Sequence, residues 1–159
     1  MPVTPDEFRA ALSRFPSGIT VVTSVDATGL AHGITVSSFC SVSLRPPLVL
    51  VCIEKTAGSH ESVQQTGFFA VNFLAAGQDE LSRRFSLPVT DKFDDVAVRT
   101  GLGGAPVLGD ALVTLECRLQ SVFDGGDHSI FVGLVEEVEI RDGEPLVYFH
   151  GNYRDLLGL

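Results

Sequence analysis

The stretch ALVTLECRLQSVFDGGDHSIFVGLVEEVEIRDGEPLVYFHGNY, residues 111–153, decides the fold. It contains three apolar runs separated by DGGD and RDGE, and both separators are rich in the Gly and Asp residues that tight hairpin turns use. The pattern therefore predicts three consecutive antiparallel strands, a meander, near the C-terminal end.

Further strands are predicted upstream of this meander. Two β-branched runs flank DATG at 26–29, which is typical of a hairpin, and GFFAVNFL at 67–74 predicts another strand. PLVLVCI at 47–53 is a short continuous apolar run, which we interpret as a strand buried on both faces. Residues 90–108 are rich in Gly and Pro and predict a long excursion.

Helices are expected only as short elements. In TPDEFRAALSRF, residues 4–15, Thr4 can cap a helix, Pro5 suits its first turn and Glu7 completes a capping box. Residues 54–66 and 77–86 each predict a short helix as well. Because strands and helices do not alternate regularly, a doubly wound fold is disfavoured and a barrel or sandwich is favoured.

Length and charge restrict the classes of function. A chain of 159 residues predicts a single domain over residues 1–159. The net charge of −9 argues against nucleic acid and anionic membranes as partners, because both reward dense Lys and Arg. A small anionic ligand remains possible, since it needs only local positive charge.

The cysteines and the N-terminal stretch point to a compartment. Cys40, Cys52 and Cys117 form an odd set without any C-x-x-C, so we expect buried free thiols and a reducing cytoplasm. The N-terminal stretch carries Asp6 and Glu7 and has no apolar core, so it is not interpreted as a signal peptide.

Closely spaced hydroxyl side chains suggest a binding surface in HGITVSSFCSVSLRPPLVLVCI, residues 32–53. A flavin ring needs hydrogen-bond donors near the edge where negative charge grows on reduction, and this stretch can supply them. A phosphate needs hydroxyls, backbone N–H groups and a cation, which EKTAGSHES at 54–62 can supply. Judged by residue type alone, Lys55 and Arg83 are better interpreted as solvated surface charges.

Two further candidates have equally ordinary structural explanations. His128 follows DGGD and could donate to a nicotinamide or flavin edge, or it could simply begin a strand after a hairpin turn. VYFHGNYRD at 147–155 could stack against a ring or form an aromatic edge strand. GLGGAP at 101–106 is not followed by a predicted helix, so a dinucleotide fingerprint is not supported.

Taken in order, several segments resemble the short-chain flavin reductase family, the reductase components of two-component flavin monooxygenases. The segments are FPSGITVVTS, GITVSSFCSVSLRPPLVLVCI, FFAVNFL, DKF, GAPVLGDALVTLECR, DGGDHSIFVGLVEEV and PLVYFHGNY. One departure is visible. Many members have T-A-N-S-F where this chain has TVSSF, so Ser37 stands in place of Asn and puts the contact with the ring edge in doubt.

The resemblance implies a fold and an activity. The fold is a closed antiparallel split β-barrel, Greek-key-like, with a few short peripheral helices, and the protein is usually a homodimer with flavin near the subunit interface. The activity is NAD(P)H:flavin oxidoreduction: a hydride passes from NADH, which is favoured over NADPH, to FMN or FAD. Free reduced flavin then diffuses to a partner monooxygenase.

The resemblance also implies a set of site residues. The flavin ring faces Thr35, Ser37 and Ser38, and the turn beside the flavin comprises Cys52, Ile53 and Glu54. The remaining positions are Gly58 and Ser59 at the phosphate, Arg84 and Phe85 in support, and Tyr148, Phe149, His150 and Gly151 near the nicotinamide nucleotide. Lys55 is added as a cofactor-binding residue because it lies in the same loop as Gly58 and Ser59. His128 is the residue placed at the reaction centre, and no metal is expected.

Other functions remain open at this point. The runner-up is a flavin-binding electron carrier of the same fold that does not use NAD(P)H. A non-catalytic interaction module and a serine hydrolase built from Ser38, Asp127 and His128 are the more distant alternatives, the last because no nucleophile elbow is present.

Overall fold

Strands predominate over helices, and the helices are short. We describe residues 2–156 from a computed structural model. The helices are α1 (Pro5–Leu12), α2 (Gly58–Thr66) and α3 (Asp79–Ser86). The strands are β1 (Ser17–Gly18), β2 (Thr20–Val25), β3 (Ala31–Val36), β4 (Phe39–Leu44), β5 (Pro47–Glu54), β6 (Phe68–Phe73), β7 (Val98–Thr100), β8 (Pro106–Leu108), β9 (Val113–Gly125), β10 (His128–Ile140), β11 (Val147–Phe149) and β12 (Asn152–Arg154).

The strands form one large antiparallel sheet and two small ones. The large sheet has seven strands in the order β3-β2-β6-β9-β10-β5-β4, and all of its ladders are antiparallel. A three-stranded sheet, β1-β11-β12, and a β7-β8 ribbon lie outside it. The prediction of a mainly β chain with a few short helices is confirmed.

The predicted helices are present with the expected N-terminal cap. The Thr4 side chain accepts a hydrogen bond from the Glu7 backbone N–H, and the Glu7 carboxylate accepts one from the Thr4 backbone N–H at 2.9 Å. The predicted helices in 54–66 and 77–86 are α2 and α3. Within residues 2–156, no helix is long and apolar enough to cross a bilayer.

The predicted meander is right for two of its three strands. β9 and β10 form a long hairpin around DGGD, but the strand after RDGE pairs with β1 and β12 instead of β10. The reason is that both edges of β10 are already occupied, one by β9 and the other by β5. A third meander strand therefore has no free hydrogen-bonding edge to join.

The large sheet curls strongly. β3 and β4 occupy its opposite edges, yet only Ser37 and Ser38 separate the end of β3 from the start of β4. Three Cα steps of about 3.8 Å limit the distance from Val36 to Phe39 to roughly 11 Å. Six strand spacings of about 4.8 Å would place the edges of a flat sheet roughly 29 Å apart. The two edges must therefore approach each other at this corner. No ladder joins them within residues 2–156, so closure of the barrel is not confirmed.

The larger cluster of buried apolar side chains packs on one face of this sheet. It contains the buried side chains Val22, Val36, Val49, Val51, Ile53, Val63, Phe69, Val71, Cys117 and Phe131. Gly133 on β10 is needed for this packing, because a Cβ there would lie 2.5 Å from the Phe69 ring. Burial of a large apolar side chain contributes about 1.5–3 kcal/mol, so a one-residue slip of β10 that turned Phe131 out of the core is strongly disfavoured.

The prediction that 47–53 is buried on both faces is wrong for the single chain. In β5 the burial alternates: Val49, Val51 and Ile53 are buried, whereas Leu48, Leu50 and Cys52 are only half-buried. The apolar residues on the second face are therefore left partly open to solvent in this chain.

Candidate functional site

A cleft of about 550 Å³, here called cleft A, opens beside the first half of β3. Its walls are β3, the start of α2 and the segment 85–93 that follows α3. Thr56, Gly58 and Ser59 border it at the start of α2. Ala57 at the N-cap provides no side-chain cap. The first backbone N–H groups of a helix have no acceptor within the helix, so this wall offers hydrogen-bond donors to a ligand.

Lys92 supplies positive charge to cleft A. Its ammonium group donates to the carbonyl oxygen of Gly33 at 2.9 Å and to that of Phe85 at 3.2 Å. Burial lowers the pKa of Lys92 from its ordinary value, because it penalises the charged form. An ammonium group has three N–H donors, so one remains for a ligand in the cleft. An anion is the ligand that this arrangement favours.

A histidine that borders cleft A is paired with a carboxylate. His32 of β3 borders cleft A, and its Nε2 lies 3.0 Å from Oδ2 of Asp26 in the β2–β3 turn. The other oxygen of Asp26 accepts from the Thr28 hydroxyl and from the backbone N–H groups of Thr28 and Leu30. These bonds, the Thr28 side chain first and His32 second, hold the pKa of Asp26 well below its usual range.

A second cleft, cleft B, lies beyond the other end of β3. Its volume is about 590 Å³, and its walls include Phe15, Phe39 and Phe73 together with Ser37 and Ser38. An apolar hollow with a few hydroxyl groups suits a flat ring that carries polar edges. From His32 in cleft A to Ser38 in cleft B, β3 and the next two residues cover six steps of about 3.3 Å, roughly 20 Å.

The comparison with protein families decides the family. Residues 12–157 match the model of the flavin reductase like domain. The chain belongs to this family. The predicted family is thereby confirmed.

Individual relatives agree with that assignment. A probable flavin reductase of Rhizobium meliloti is 41% identical over 149 residues, covering 94% of this chain and 48% of the relative. The chain thus spans about half the length of this relative. The reductase component of a 4-nitrophenol 4-monooxygenase/4-nitrocatechol 2-monooxygenase from Rhodococcus opacus is 38% identical, covering 96% of this chain and 81% of that protein.

A solved structure shows the same fold at similar identity. It is an NADH:FAD oxidoreductase from Streptomyces globisporus in complex with NAD and FAD fragments. It has 36% sequence identity, a TM-score of 0.93, and covers 99% of this chain and 96% of that chain.

In this flavin reductase family member, the predicted ring-facing residues have different environments. Ser37 and Ser38 are exposed and border cleft B. The Ser38 hydroxyl donates to the Cys52 carbonyl oxygen at 3.1 Å. The Thr35 hydroxyl donates to the Ser82 carbonyl oxygen at 2.6 Å, which anchors α3 to β3. Ser37 and Ser38 are therefore better placed for a ring than Thr35 is.

The predicted turn at the end of β5 divides between the two sheet faces. Ile53 is buried in the core, so its side chain is not available to a ligand, whereas Cys52 and Glu54 point to the other face. Glu54 borders cleft A. Lys55 does not border either cleft, and its ammonium group pairs with Asp124.

Of the two residues predicted to support the phosphate site, Phe85 borders cleft A and Arg84 does not. Phe85 is fully buried, packs edge-on against Phe93 at 5.0 Å and forms part of the wall of cleft A. Arg84 borders neither cleft and donates to the Asp94 carbonyl oxygen at 2.7 Å.

The predicted nicotinamide stretch lies next to cleft B. Tyr148 and Gly151 border a hollow of about 370 Å³ that shares Phe15 and Ser37 with cleft B. Phe149 and His150 border none of these hollows. The His150 backbone N–H donates to the Ser13 carbonyl oxygen at 2.8 Å, which ties this stretch to the end of α1.

His128 stands at the rim of cleft A but lines neither cleft A nor cleft B. It pairs with Glu54 across the β5–β10 ladder, and its Nδ1 lies 2.6 Å from an oxygen of Asp127. The hydrogen bond from His128 lowers the pKa of Asp127. The hydrolase alternative loses support, because within residues 2–156 Ser38 bonds to the Cys52 carbonyl and not to His128.

Sequence reasoning missed Lys92, His32 and Asp26 as site residues. Of the two lysines in the chain, it selected Lys55 because that residue follows β5 directly. Position along the chain could not reveal that Lys92 folds back onto β3. The segment DKF, 91–93, was recognised as a family segment, and this was the one signal pointing to Lys92.

Proposed function

We propose that this chain is an NAD(P)H:flavin oxidoreductase that reduces FMN or FAD, with NADH as the favoured donor. The observation that carries the proposal is the arrangement along β3: a cleft lined by Lys92 and the start of α2 at one end, and an apolar cleft with hydroxyl groups at the other. An extended ligand with a phosphate and a ring matches both ends. The comparisons support the activity, since the S. globisporus neighbour is an NADH:FAD oxidoreductase.

The residues of cleft A fit a flavin phosphate. Lys92 would supply the cation, and the backbone N–H groups at Gly58 and Ser59 would supply donors at the start of α2. The apolar wall of Phe85 keeps water from one side of this charge. Lys55 and Arg84 have no role in this proposal, because each is engaged outside the cleft.

The residues of cleft B fit the ring. Ser37 and Ser38 would face its polar edge, and Phe39 and Phe73 would cover apolar surface. When bound, the flavin supplies the redox chemistry by accepting a hydride from the nicotinamide nucleotide. The chain itself must hold the flavin and the nicotinamide nucleotide in contact and exclude water. Tyr148 and Gly151 lie where the nicotinamide nucleotide would approach.

A steady-state matrix tests the function. NADH and NADPH are each combined with FMN, FAD and riboflavin, and nicotinamide oxidation is followed by absorbance. We expect flavin-dependent oxidation, with NADH preferred. If neither NADH nor NADPH is oxidised at a flavin-dependent rate, the enzyme assignment is overturned. A tightly held flavin that dithionite reduces and NADH does not would instead support the electron-carrier alternative.

His128 is proposed to orient the nicotinamide or the flavin edge through its Nε2 side, while Asp127 holds Nδ1. We expect His128→Ala to lower kcat/KM for NADH by about two- to tenfold, the effect of losing one hydrogen bond. Lys55→Ala is the matched control on the same rim. Steady-state kinetics with an unchanged kcat and an unchanged KM for NADH in His128→Ala would remove this role.

We further propose a homodimer formed through the outer face of β5 and β10. Three cross-strand pairs there are apolar and half-buried: Leu48 with Leu134, Leu50 with Val132, and Cys52 with Ile130. The opposite face of the same strands packs in the core. In a single chain this second apolar face would stay partly exposed to water, which is unfavourable. A second copy would cover it and bring Cys52 and Glu54 close to the interface.

We also propose closure of the barrel, a single domain, a cytoplasmic location and a partner monooxygenase. Closure of the curled sheet into a split barrel is supported by the two-residue connection between its edge strands, and one domain over 1–159 by the family match to 12–157. A cytoplasmic location is supported by the free thiols of Cys40, Cys52 and Cys117. A partner monooxygenase that receives diffusing reduced flavin is supported by the R. opacus relative, a reductase component.

A further inference from the structure

The pair of Asp26 and His32 has a geometry that the proposed flavin chemistry does not explain. His32 presents two different nitrogens to two different neighbours. Its Nε2 lies 3.0 Å from the Asp26 carboxylate, and its Nδ1 lies 3.1 Å from the place where a Cβ on Gly58 would be. The Nδ1 edge of the ring therefore faces the first residue of α2, where the phosphate is proposed to bind.

Asp26 determines which nitrogen carries a proton. Its carboxylate is anionic and can only accept, so the proton of neutral His32 lies on Nε2 and Nδ1 is a bare acceptor. Asp26 cannot turn away, because three donors from Thr28 and Leu30 hold its other oxygen. Neutral His32 thus presents a lone pair toward the start of α2, which disfavours an anion there.

A second proton on His32 reverses this effect. It can only enter at Nδ1, and the resulting N–H then points toward the phosphate position as a charged donor. We propose that His32 is a phosphate-sensing residue whose protonation at Nδ1 strengthens binding of phosphorylated flavins, with Asp26 as the positioning residue that selects the nitrogen. This inference rests on the proposed function, since it places the flavin phosphate in cleft A.

The other charged groups around His32 come from separate elements. Asp26 lies in the β2–β3 turn and Glu54 at the end of β5, and both are carboxylates. Lys92, in the segment after α3, donates to the carbonyl oxygen of Gly33, the residue next to His32. We assign the pH-dependent part of phosphate binding to His32, because its ring can gain a second proton at Nδ1 and that proton would point toward the phosphate position.

The test compares dissociation constants for FMN and riboflavin, measured by fluorescence titration at pH 6 and pH 8. Riboflavin lacks the phosphate, so the ratio of the two constants isolates the phosphate contribution. FMN also ionises near pH 6, so wild type and variants are compared at the same pH. We expect His32→Gln to reduce the FMN preference by about tenfold at pH 6, the value of one charge-assisted hydrogen bond, and little at pH 8.

Asp26→Asn is expected to change the FMN preference in the opposite direction to His32→Gln. A general loss of folding could not produce both results. The amide oxygen can still accept from Thr28 and Leu30, while the amide N–H donates to Nε2 and moves the neutral proton to Nδ1. This variant should therefore keep the FMN preference at pH 8, where wild type has lost part of it. An FMN preference that depends neither on His32 nor on Asp26 at either pH would overturn the proposal.

The two proposals fail in distinguishable ways. If no flavin is reduced by NADH or NADPH while FMN and riboflavin binding behave as described, the enzymatic function fails and the role of His32 stands. If both flavins are reduced but the binding ratios are equal in wild type and variants, the role of His32 fails alone.

Discussion

Lys92→Met is expected to weaken FMN binding by roughly ten- to a hundredfold and to leave riboflavin binding nearly unchanged, because a charge-assisted bond to phosphate contributes about 1.5–3 kcal/mol. The ammonium group is held between the Gly33 and Phe85 carbonyl oxygens on the wall of cleft A. Burial already lowers its pKa, so a bound anion restores the stability of its charged form.

The chain provides its own control for this experiment. Lys55 is the other lysine, it is exposed, and it pairs with Asp124 outside both clefts. Lys55→Met should change the dissociation constant for FMN by less than about twofold, as is usual for exposed pairs. Titration of both variants with FMN and riboflavin shows which lysine contributes to FMN binding. Thermal unfolding checks that both variants are folded. A larger loss of FMN binding in the Lys55 variant would contradict the assignment of the cation.

The second large effect concerns the apolar outer face of β5 and β10. Leu50→Glu is expected to convert the proposed dimer to monomer, since a two-fold interface buries the substituted carboxylate twice. An unpaired buried charge costs about 3–5 kcal/mol, which weakens dimerisation by roughly a hundredfold or more. Flavin reduction should fall together with the dimer, because Cys52 and Glu54 lie on the same face as Leu50.

Sedimentation or light scattering over a range of protein concentrations measures this change. Val98→Glu is the matched control, because Val98 is also an exposed apolar strand residue but belongs to the separate β7-β8 ribbon. Circular dichroism shows whether the variants remain folded. A wild-type chain that is monomeric at all concentrations and still reduces flavin would exclude the dimer.

Local patterns predicted the elements well. The apolar runs of β9 and β10 and the DGGD turn between them are properties of neighbouring residues, and the capping box of Thr4 and Glu7 is contained within one helical turn. The ordered family segments likewise predicted the chemistry. The prediction was wrong where strand pairing depends on distant segments. The strand after RDGE does not pair with β10, because β5 and β9 already occupy both edges of β10.

The same distinction separates the predicted residues that border cleft A from those that do not. Gly58, Ser59 and Glu54 were selected from sequence and do border cleft A. Lys55 was selected because it is adjacent to them in the chain, but its side chain turns toward Asp124. Lys92 is 37 positions further along, and only the fold brings its ammonium group to Gly33.

The sequence by itself determined the mainly β class, the short helices and the family, because hydrophobic periodicity, capping and turn chemistry act between residues close in the chain. The tertiary structure alone decided which cation enters cleft A, that the Thr35 hydroxyl is committed to Ser82, and that Asp26 fixes the ring of His32. These are contacts between strands, turns and helices, and the curled sheet that brings them together follows from burial of the whole core and not from any local pattern.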